Sequence, residues 1–579
     1  MTASLAMLAK SGRLRRVDIA LGEWIARAFP DVPEEAMLAA ALAARAVADG
    51  HSALALEKAQ AWFNGLEGDG RPATFPEFTT WLAALKHASA VHMHDRDEHA
   101  GLVPLVLDAQ GRVYLRRYFE YEQRLAQGLV ARAGSIDDPS RDKVAESGDA
   151  GVDPEQCREI DIVLSRHLTL VTGGPGAGKT HGVVRMLAAL AQRSHTSGDT
   201  LRIALAAPTG KAAARLRESV RLQLAALNLP AEVAALMPSD AVTVHGLIGL
   251  SPQRAAPRFD RASPLPFDVV VVDEVSMVDL PLMTKLVDAV PAGARLILLG
   301  DPDQLSAVEA GNVLGALVEA AQAPPLLDCH AALTRSHRFA TGSSLGALAR
   351  AIAAGEADAA LGACAPETDV ALADAKRMPD FLDAAATAYG AVLGAGDPEA
   401  ALRAAQGFRV LTALRWGPFG CVAIDQAIAQ RLQRTLGVRE DERWWRGRLI
   451  LVTANRAELG LFNGDTGVAW PDAQGTMRAW FDGPDGTPRA LTVDALPPHE
   501  GAFALTVHKA QGSEFERVAL VTGPDSAALT RELLYTGATR ARAGITLYST
   551  PDALRAGIER RTLRMTGLVD RLRELSRGT

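Results

Sequence analysis

Val171-Thr172-Gly173-Gly174-Pro175-Gly176-Ala177-Gly178-Lys179-Thr180 is the stretch from which the fold can be read. The β-branched and leucine-rich run before it, His167–Val171, reads as a short buried strand. After it, Val183, Val184, Leu187 and Leu190 recur at helical spacing. Strand, glycine-rich turn and helix are the setting of a phosphate-binding loop. The glycines let successive backbone N–H groups turn in on an anion, and the helix N-terminus adds the positive end of its dipole. Gly173, Gly174, Pro175, Gly176, Ala177, Gly178, Lys179 and Thr180 are therefore expected to bind ATP. Lys179 would reach the β/γ-phosphates and the Thr180 hydroxyl would ligate Mg²⁺. A dinucleotide fingerprint starting at Gly174 would need glycine at 179, where lysine stands.

Working outward, Arg202–Ala206, Phe267–Val272 and Arg295–Leu299 read as further buried strands separated by helices. With the first strand they predict a doubly wound α/β domain. Ligands of such a sheet lie at the carboxyl ends of its strands. Phe267–Val272 ends in Asp273-Glu274, which places Asp273 in the Mg²⁺ shell and Glu274 as the general base for the attacking water. Arg295–Leu299 runs into Gly300-Asp301-Pro302-Asp303-Gln304-Leu305-Ser306, where the Gln304 amide can sense a γ-phosphate and move a loop that touches another ligand. Pro208, Thr209 and Lys211, after the second strand, offer backbone, hydroxyl and cation to a phosphodiester chain without reading its bases. His245 stands in a second polar loop of that type, and Gln156, on the helix before the phosphate loop, has the two-sided amide that reads an adenine edge.

The 579 residues exceed one hydrophobic core and predict roughly three or four domains. The composition, 48% hydrophobic and 22% charged, is that of an ordinary globular protein. A net charge of −7 gives no global basic field, so any nucleic-acid contact must be a local channel. Cys157, Cys329, Cys364 and Cys421 are scattered, which supports neither a disulfide framework nor a zinc or iron–sulfur site. Neither a secretory h-region nor an apolar stretch of ~18 residues is present, so the expected location is cytoplasmic, with no membrane contact.

Residues 1–132 read as a mostly helical N-terminal domain, with an apolar stripe of Val17, Leu21, Trp24, Ile25 and Phe29. A hairpin is expected at Leu102–Leu107 and Val113–Leu115, with a helix from Arg116. His87, His92, His94 and His99 with Asp95 and Asp97 match no metal-ligand spacing and read as a solvated loop. Residues 133–152 are polar and read as a linker to a first α/β domain at 153–340. A second such domain at 341–579 is expected from strands at Phe408–Ala413, Ala504–Val507, Arg517–Val521 and Gly544–Tyr548. Within it, at about 440–500, Arg448–Val452, Thr466–Trp470, Met477–Phe481 and Pro488–Val493 predict a small β-barrel insertion. Leu554, Ile558, Leu563, Leu568, Leu572 and Leu575 predict a continuing C-terminal helix.

The order of these pieces resembles the superfamily 1 helicases. Leu333-Thr334-Arg335-Ser336-His337-Arg338-Phe339 looks like the motif that gives an arginine, here Arg338, to the γ-phosphate. Thr506-Val507-His508-Lys509-Ala510-Gln511-Gly512-Ser513-Glu514-Phe515 looks like the motif coupling DNA to phosphate, which implies DNA contacts at Thr506, His508 and Gln511. Tyr535-Thr536-Gly537-Ala538-Thr539-Arg540-Ala541-Arg542 looks like the arginine-finger motif, with Arg540 as the finger. Within the superfamily the chain is most similar to the RecD family, the alpha subunits of exodeoxyribonuclease V (RecBCD). Gly111–Tyr118, Leu411–Gly420 and Glu458–Asp465 carry that likeness. Departures are His337 where the family often has Tyr, Ala510 where it often has Ser, and Gly537-Ala538 for a bulkier pair.

The resemblance implies two RecA-like motor domains with ATP between them and single-stranded DNA across both. It further implies 5′→3′ unwinding of double-strand DNA ends, beside RecB-like helicase-nuclease and RecC-like partners. The N-terminal domain would then dock the RecC-like subunit. Two other readings remain: a small-molecule P-loop kinase, which leaves Arg338, Gln511 and Arg540 unexplained, and a non-motor, ATP-gated scaffold. Asp374-Ala375-Lys376 superficially fits a nuclease pattern but lacks an acidic strand end, so it reads as a solvated helix face and cleavage is assigned to a partner.

Overall fold

The computed structural model describes residues 3–94, 103–136, 154–251, 254, 256–334, 338–339, 342–365, 368–375, 377–483, 486–524 and 528–577. Most of the expected linker, with Asp95, Asp97, His99, Arg335, Ser336, His337 and Lys376, lies outside the described residues, as do the side chains of 154–157.

The architecture is mixed α/β, built on two parallel sheets. The first has six strands in the order His330–Leu333, Leu168–Gly173, Arg295–Gly300, Val269–Val272, Ile203–Ala207, Ala241–Thr243, every neighbouring pair parallel. The four expected strands form its centre. They are valine- and leucine-rich because helices cover both faces of the sheet. The two edge strands were illegible: Ala241–Thr243 has three residues and His330–Leu333 is half alanine. The second sheet has the order Val370–Asp374, Ala541–Ser549, Phe515–Gly523, Phe408–Thr412, Ala504–Thr506, again all parallel. Asp374 therefore ends an edge strand rather than lying on a helix face. The expected solvated character holds, since its side chain is exposed.

Between the last two members of the second sheet the chain forms a separate antiparallel sheet. Its order is Pro488–Thr492, Met477–Asp482, Thr466–Pro471, Leu449–Val452, His499–Gly501. Among the described residues no ladder joins its two outer strands.

The N-terminal part is helical around a four-stranded sheet, Leu54–Ala55, Arg112–Leu115, Leu105–Leu107, Val91–Met93, which contains the expected hairpin. The helix that ends this segment, Arg116–Arg132, turns its apolar face to the first parallel sheet. Tyr121, Leu125, Leu129 and Val130 share a core cluster with Val270, Val272, Leu286 and Leu298. Arg124 pairs with buried Asp288, and Arg132 donates to the carbonyls of Val290 and Pro291.

The C-terminal leucines do not form one helix. Pro551–Glu559 and Leu568–Arg577 are helical, and the chain between them is not. The reason is a tertiary pairing: the Ser52 and Ala53 amides donate to the Met565 carbonyl at 3.0 and 3.2 Å, and the Met565 side chain is buried in the N-terminal core. A helix there would have to bend those backbone groups inward. The closure is completed by Glu122, which is fully buried. It accepts from Ser52 Oγ at 2.6 Å, Thr566 Oγ1 at 2.7 Å, Gly567 N at 3.1 Å and Arg571 Nε at 3.1 Å. Removing one partner of such a buried pair strands the other charge. Glu122→Ala is therefore expected to cost about 3–5 kcal/mol, read as a lower urea midpoint for the N-terminal transition. An unchanged midpoint would show that Glu122 does not close the chain.

Candidate nucleotide and nucleic-acid site

The phosphate loop leaves the carboxyl end of Leu168–Gly173 and enters a helix at Lys179. Gly176 and Gly178 have φ of +72° and +86°, the left-handed region that other residues enter only with strain. Gly176 is also hemmed in, since a Cβ there would meet the Arg338 backbone N at 2.9 Å. The Lys179 ammonium folds over the loop and donates to the carbonyls of Gly173 at 2.5 Å and Gly174 at 3.1 Å. Thr180 is half-buried in the first turn. Gln156 lies on the helix Pro154–Ser165, with its side chain outside the described residues.

Two strands away, Val269–Val272 is wholly buried and delivers Asp273 and Glu274. Burial, and then the charge of Glu274, push the Asp273 carboxyl up to about 6, with Lys179 pulling the other way. Glu274 has φ of 53°, the sole non-glycine residue in the left-handed region among the described residues. Its amide donates to Asp273 Oδ1 at 2.8 Å. Backbone held in that region costs on the order of 1–3 kcal/mol and collects at functional sites. Two adjacent half-buried acids at a strand end fit a divalent cation: it would relieve the repulsion by Glu274 that adds to the raised pKa of Asp273.

Between these elements runs Arg295–Gly300, and the turn after it joins the two sheets. Asp301 is buried and accepts three bonds of 3.1 Å, from the Asp303 amide, Gln304 Nε2 and the Tyr535 hydroxyl. Burial raises its pKa and Lys179 lowers it. Leu305, next to Gln304, packs into the core of the second sheet. Its amide donates to Thr536 Oγ1 at 2.8 Å and its carbonyl accepts from Gln511 Nε2 at 3.1 Å. Asp301 and Tyr535 were visible in the quoted motifs but carried no signal of their own. Only folding brings the hydroxyl to the acid.

Both expected arginine fingers are engaged at the same junction, Arg338 across it and Arg540 on its own side. Arg338 pairs with Glu514 and donates to the Thr539 carbonyl at 3.2 Å. Arg540 is buried and donates to the carbonyls of Thr536 at 3.1 Å and Ser513 at 3.3 Å. Burial lowers its pKa, while Glu274 and Glu514 raise it. Glu514, to which the sequence assigned no role, also binds Arg215 at 2.6 Å and Arg542 at 3.0 Å. Burial pushes its carboxyl up, but Arg215 and Arg338 overcome that and hold it at about 2.

The candidate DNA residues divide into two groups. Pro208 and Thr209 follow Ile203–Ala207, and Thr209 Oγ1 caps the next helix by accepting from Ala212 N at 3.2 Å. His245 and His508 present exposed side chains at strand ends. Lys211, in contrast, is turned into the junction, donating to Ser513 Oγ at 2.7 Å and the Gly464 carbonyl at 3.4 Å. Burial, opposed by Asp465, pushes its pKa down to about 8. Thr506 is buried and accepts from the Lys509 amide at 3.3 Å, and Gln511 is held by Leu305. Among the described residues no group of three His, Cys, Asp or Glu could hold a metal, and no helix is long and apolar enough to cross a membrane.

Three family models match. They are an AAA domain at residues 156–310, a UvrD-like helicase C-terminal domain at 501–548, and the N-terminal domain of RecBCD enzyme subunit RecD at 10–114. The chain is 40% identical over 512 residues to the RecBCD enzyme subunit RecD of Mycolicibacterium smegmatis, covering 86% of this chain and 87% of that protein. It is 32% identical to the ATP-dependent RecD2 DNA helicase of Deinococcus radiodurans, over 80% of this chain and 59% of that protein. A Bacteroides Pif1 helicase solved with ADP-AlF3 and single-stranded DNA aligns over 74% of this chain and 98% of that one, at 16% identity and a TM-score of 0.40.

The raised pKa of Asp273 has a testable sign. The fold favours its neutral form, so its contribution to stability is present in acid and lost as pH rises through about 6. Asp273→Asn is expected to melt higher than the parent at pH 8, with the difference smaller at pH 5 and closing only below the ordinary carboxyl value of 3.8. A difference that does not change between the two would rule out a strained carboxylate there.

Proposed function

The chain belongs to the RecD family, and from that premise we propose that it is an ATP-dependent DNA helicase, the motor subunit of a RecBCD-type exodeoxyribonuclease V. In that role it unwinds double-strand DNA ends for recombinational repair, moving 5′→3′. The observation that carries the reading is the Gln304–Leu305 turn. It leaves the sheet that bears the phosphate loop, yet its next residue is gripped by Thr536 and Gln511 of the other sheet. A γ-phosphate that displaces Gln304 thereby moves one sheet against the other, which is what a translocating motor needs. A kinase has no use for that linkage.

In the proposed assignment 153–340 and 341–579 are RecA-like motor domains, and the antiparallel sheet at about 440–500 is the β-barrel insertion. ATP lies against Gly173–Thr180, with Gln156 at the adenine. Thr180 and Asp273 would hold Mg²⁺, which supplies charge neutralisation to the phosphates. Glu274 takes the proton of the attacking water, Gln304 reports the γ-phosphate, and Arg338 and Arg540 exchange their internal acceptors for it. Pro208, Thr209, Lys211, His245, Thr506, His508 and Gln511 line the path of single-stranded DNA, the exposed histidines touching it directly and the buried members setting the loops.

Residues 1–132 are proposed to dock a RecC-like subunit beside a RecB-like helicase-nuclease. Val17, 62% exposed, and Trp24, 45% exposed, share one face of the helix Arg16–Ala28 and support this. Deleting the segment cannot test it, because Arg116–Arg132 belongs to the first core. The paired surface change Val17→Asp with Trp24→Asp is expected to abolish co-purification with the partners while DNA-stimulated ATPase stays within twofold. Normal assembly of that variant would refute docking through this face.

Lys179→Gln is expected to fold and to lose DNA-stimulated ATP hydrolysis. Arg338→Ala and Arg540→Ala should each cost about 10³–10⁵ in kcat and little in KM. An effect on KM alone would make the residue a binding group instead. Duplexes with 5′ or 3′ single-stranded tails decide between the readings: unwinding from the 5′ tail is expected. ATPase without strand displacement would favour the ATP-gated scaffold, and ATPase indifferent to DNA would favour the kinase.

A further inference from the structure

The two parallel sheets place their candidate DNA loops in matching positions. In the first, the edge pair is Ile203–Ala207 beside Ala241–Thr243, and the loops at their carboxyl ends carry Thr209 and His245. In the second, the edge pair is Phe408–Thr412 beside Ala504–Thr506, in parallel register with Thr412 next to Thr506. The loop after Thr506 carries His508. The loop after Thr412, Ala413-Leu414-Arg415-Trp416-Gly417-Pro418-Phe419-Gly420, is the one of the four with no role so far.

That loop is rigid. Thr412 Oγ1 donates to the Leu414 carbonyl at 2.7 Å, the Cys421 amide donates to the same carbonyl at 3.0 Å, and the Gly420 amide closes on Gly417 at 3.0 Å. Gly417 has φ of +86°, which makes the reversal without strain. At the tip stands Trp416, 67% exposed, with the Arg415 guanidinium 5.3 Å from its ring centre. Arg415 Nη2 reaches Glu500 Oε2 at 3.4 Å, and Lys509, which follows His508, pairs with the other oxygen of Glu500. Two cations thus share one carboxylate, and one of them covers one face of an indole that is otherwise exposed, in a chain whose net charge is −7. A flat ring presented by a stiff loop, with surplus positive charge next to it, is the arrangement that binds single strands by stacking.

We propose that the Leu414–Gly420 loop is the fourth wall of the single-strand path and that Trp416 stacks on a base of single-stranded DNA, with Arg415 and Lys509 beside the adjoining phosphates. The proposal rests on the DNA-motor reading and adds a contact to it. Stacking gives affinity without base preference, because every base has a π-face.

The test uses the full chain and a labelled thymidine homopolymer, with and without abasic positions, at two salt concentrations. Trp416→Ala is expected to weaken binding about 5- to 150-fold, and Trp416→Phe to keep most of the affinity. The salt dependence should not change, since a ring releases no counterions. Abasic positions should weaken the parent by a similar factor and Trp416→Ala no further. Melting temperature and ATP affinity without DNA should match the parent. If the parent shows salt-sensitive binding and Trp416→Ala binds equally well, the stacking proposal falls and the motor reading stands. If the parent itself binds no single strand, both fall. Should Trp416→Ala bind DNA normally but lose its partner subunits, the ring is a protein contact and the proposal is overturned.

Discussion

Glu514 is the point at which the two halves of the molecule are held together by charge. Its carboxylate is shared by Arg215 from the helix after the candidate DNA loop, Arg338 over the phosphate loop, and Arg542 from its own sheet. A carboxylate this buried is tolerable only when paired, and these partners reach it from two different sheets. The residues next to it are tied in the same way: Ser513 takes the Lys211 ammonium on its hydroxyl and Arg540 on its carbonyl. The junction is thus mainly polar, while each sheet keeps its own apolar core. Polar pairs can be exchanged for phosphate oxygens at modest cost, whereas a fused hydrophobic core could not open.

The exception makes the coupling directional. Leu305 is an apolar side chain that crosses, and it crosses one residue after Gln304. Whatever moves that glutamine moves a knob seated in the other core. The far end of the same turn is also held: Arg564 donates to the carbonyls of Ala307 at 3.0 Å and Asp49 at 2.8 Å. The turn that carries Gln304 therefore lies between the second sheet and the N-terminal segment, and the non-helical stretch around Met565 ties the N-terminal and C-terminal segments together.

Much of the site was legible because it obeys local rules. A glycine loop between strand and helix, an acid pair after a valine strand, and an amide after the next strand each need only their neighbours in sequence. The roles of single residues were less legible. Lys211 and Gln511 look alike in sequence to surface groups that meet a phosphodiester, yet both are spent on the junction. Thr506 is buried. Glu514 stood in a quoted motif with nothing to mark it, since its three arginines come from positions 215, 338 and 542.

The sequence by itself determined the parallel sheets, the glycine-rich loop between strand and helix and the order of the motifs, because apolar runs and glycine turns act over a few residues. It did not determine the edge strands, which are too short or too rich in alanine to differ from loop. Nor did it determine the fate of the C-terminal leucines: their spacing suits a helix, and the pairing of Met565 with Ser52 and Ala53 overrides it. Which cation faces a ligand and which one closes the junction was likewise decided in three dimensions. A charge finds its partner by distance in space, and residues hundreds of positions apart carry no sign in the chain of where they will meet.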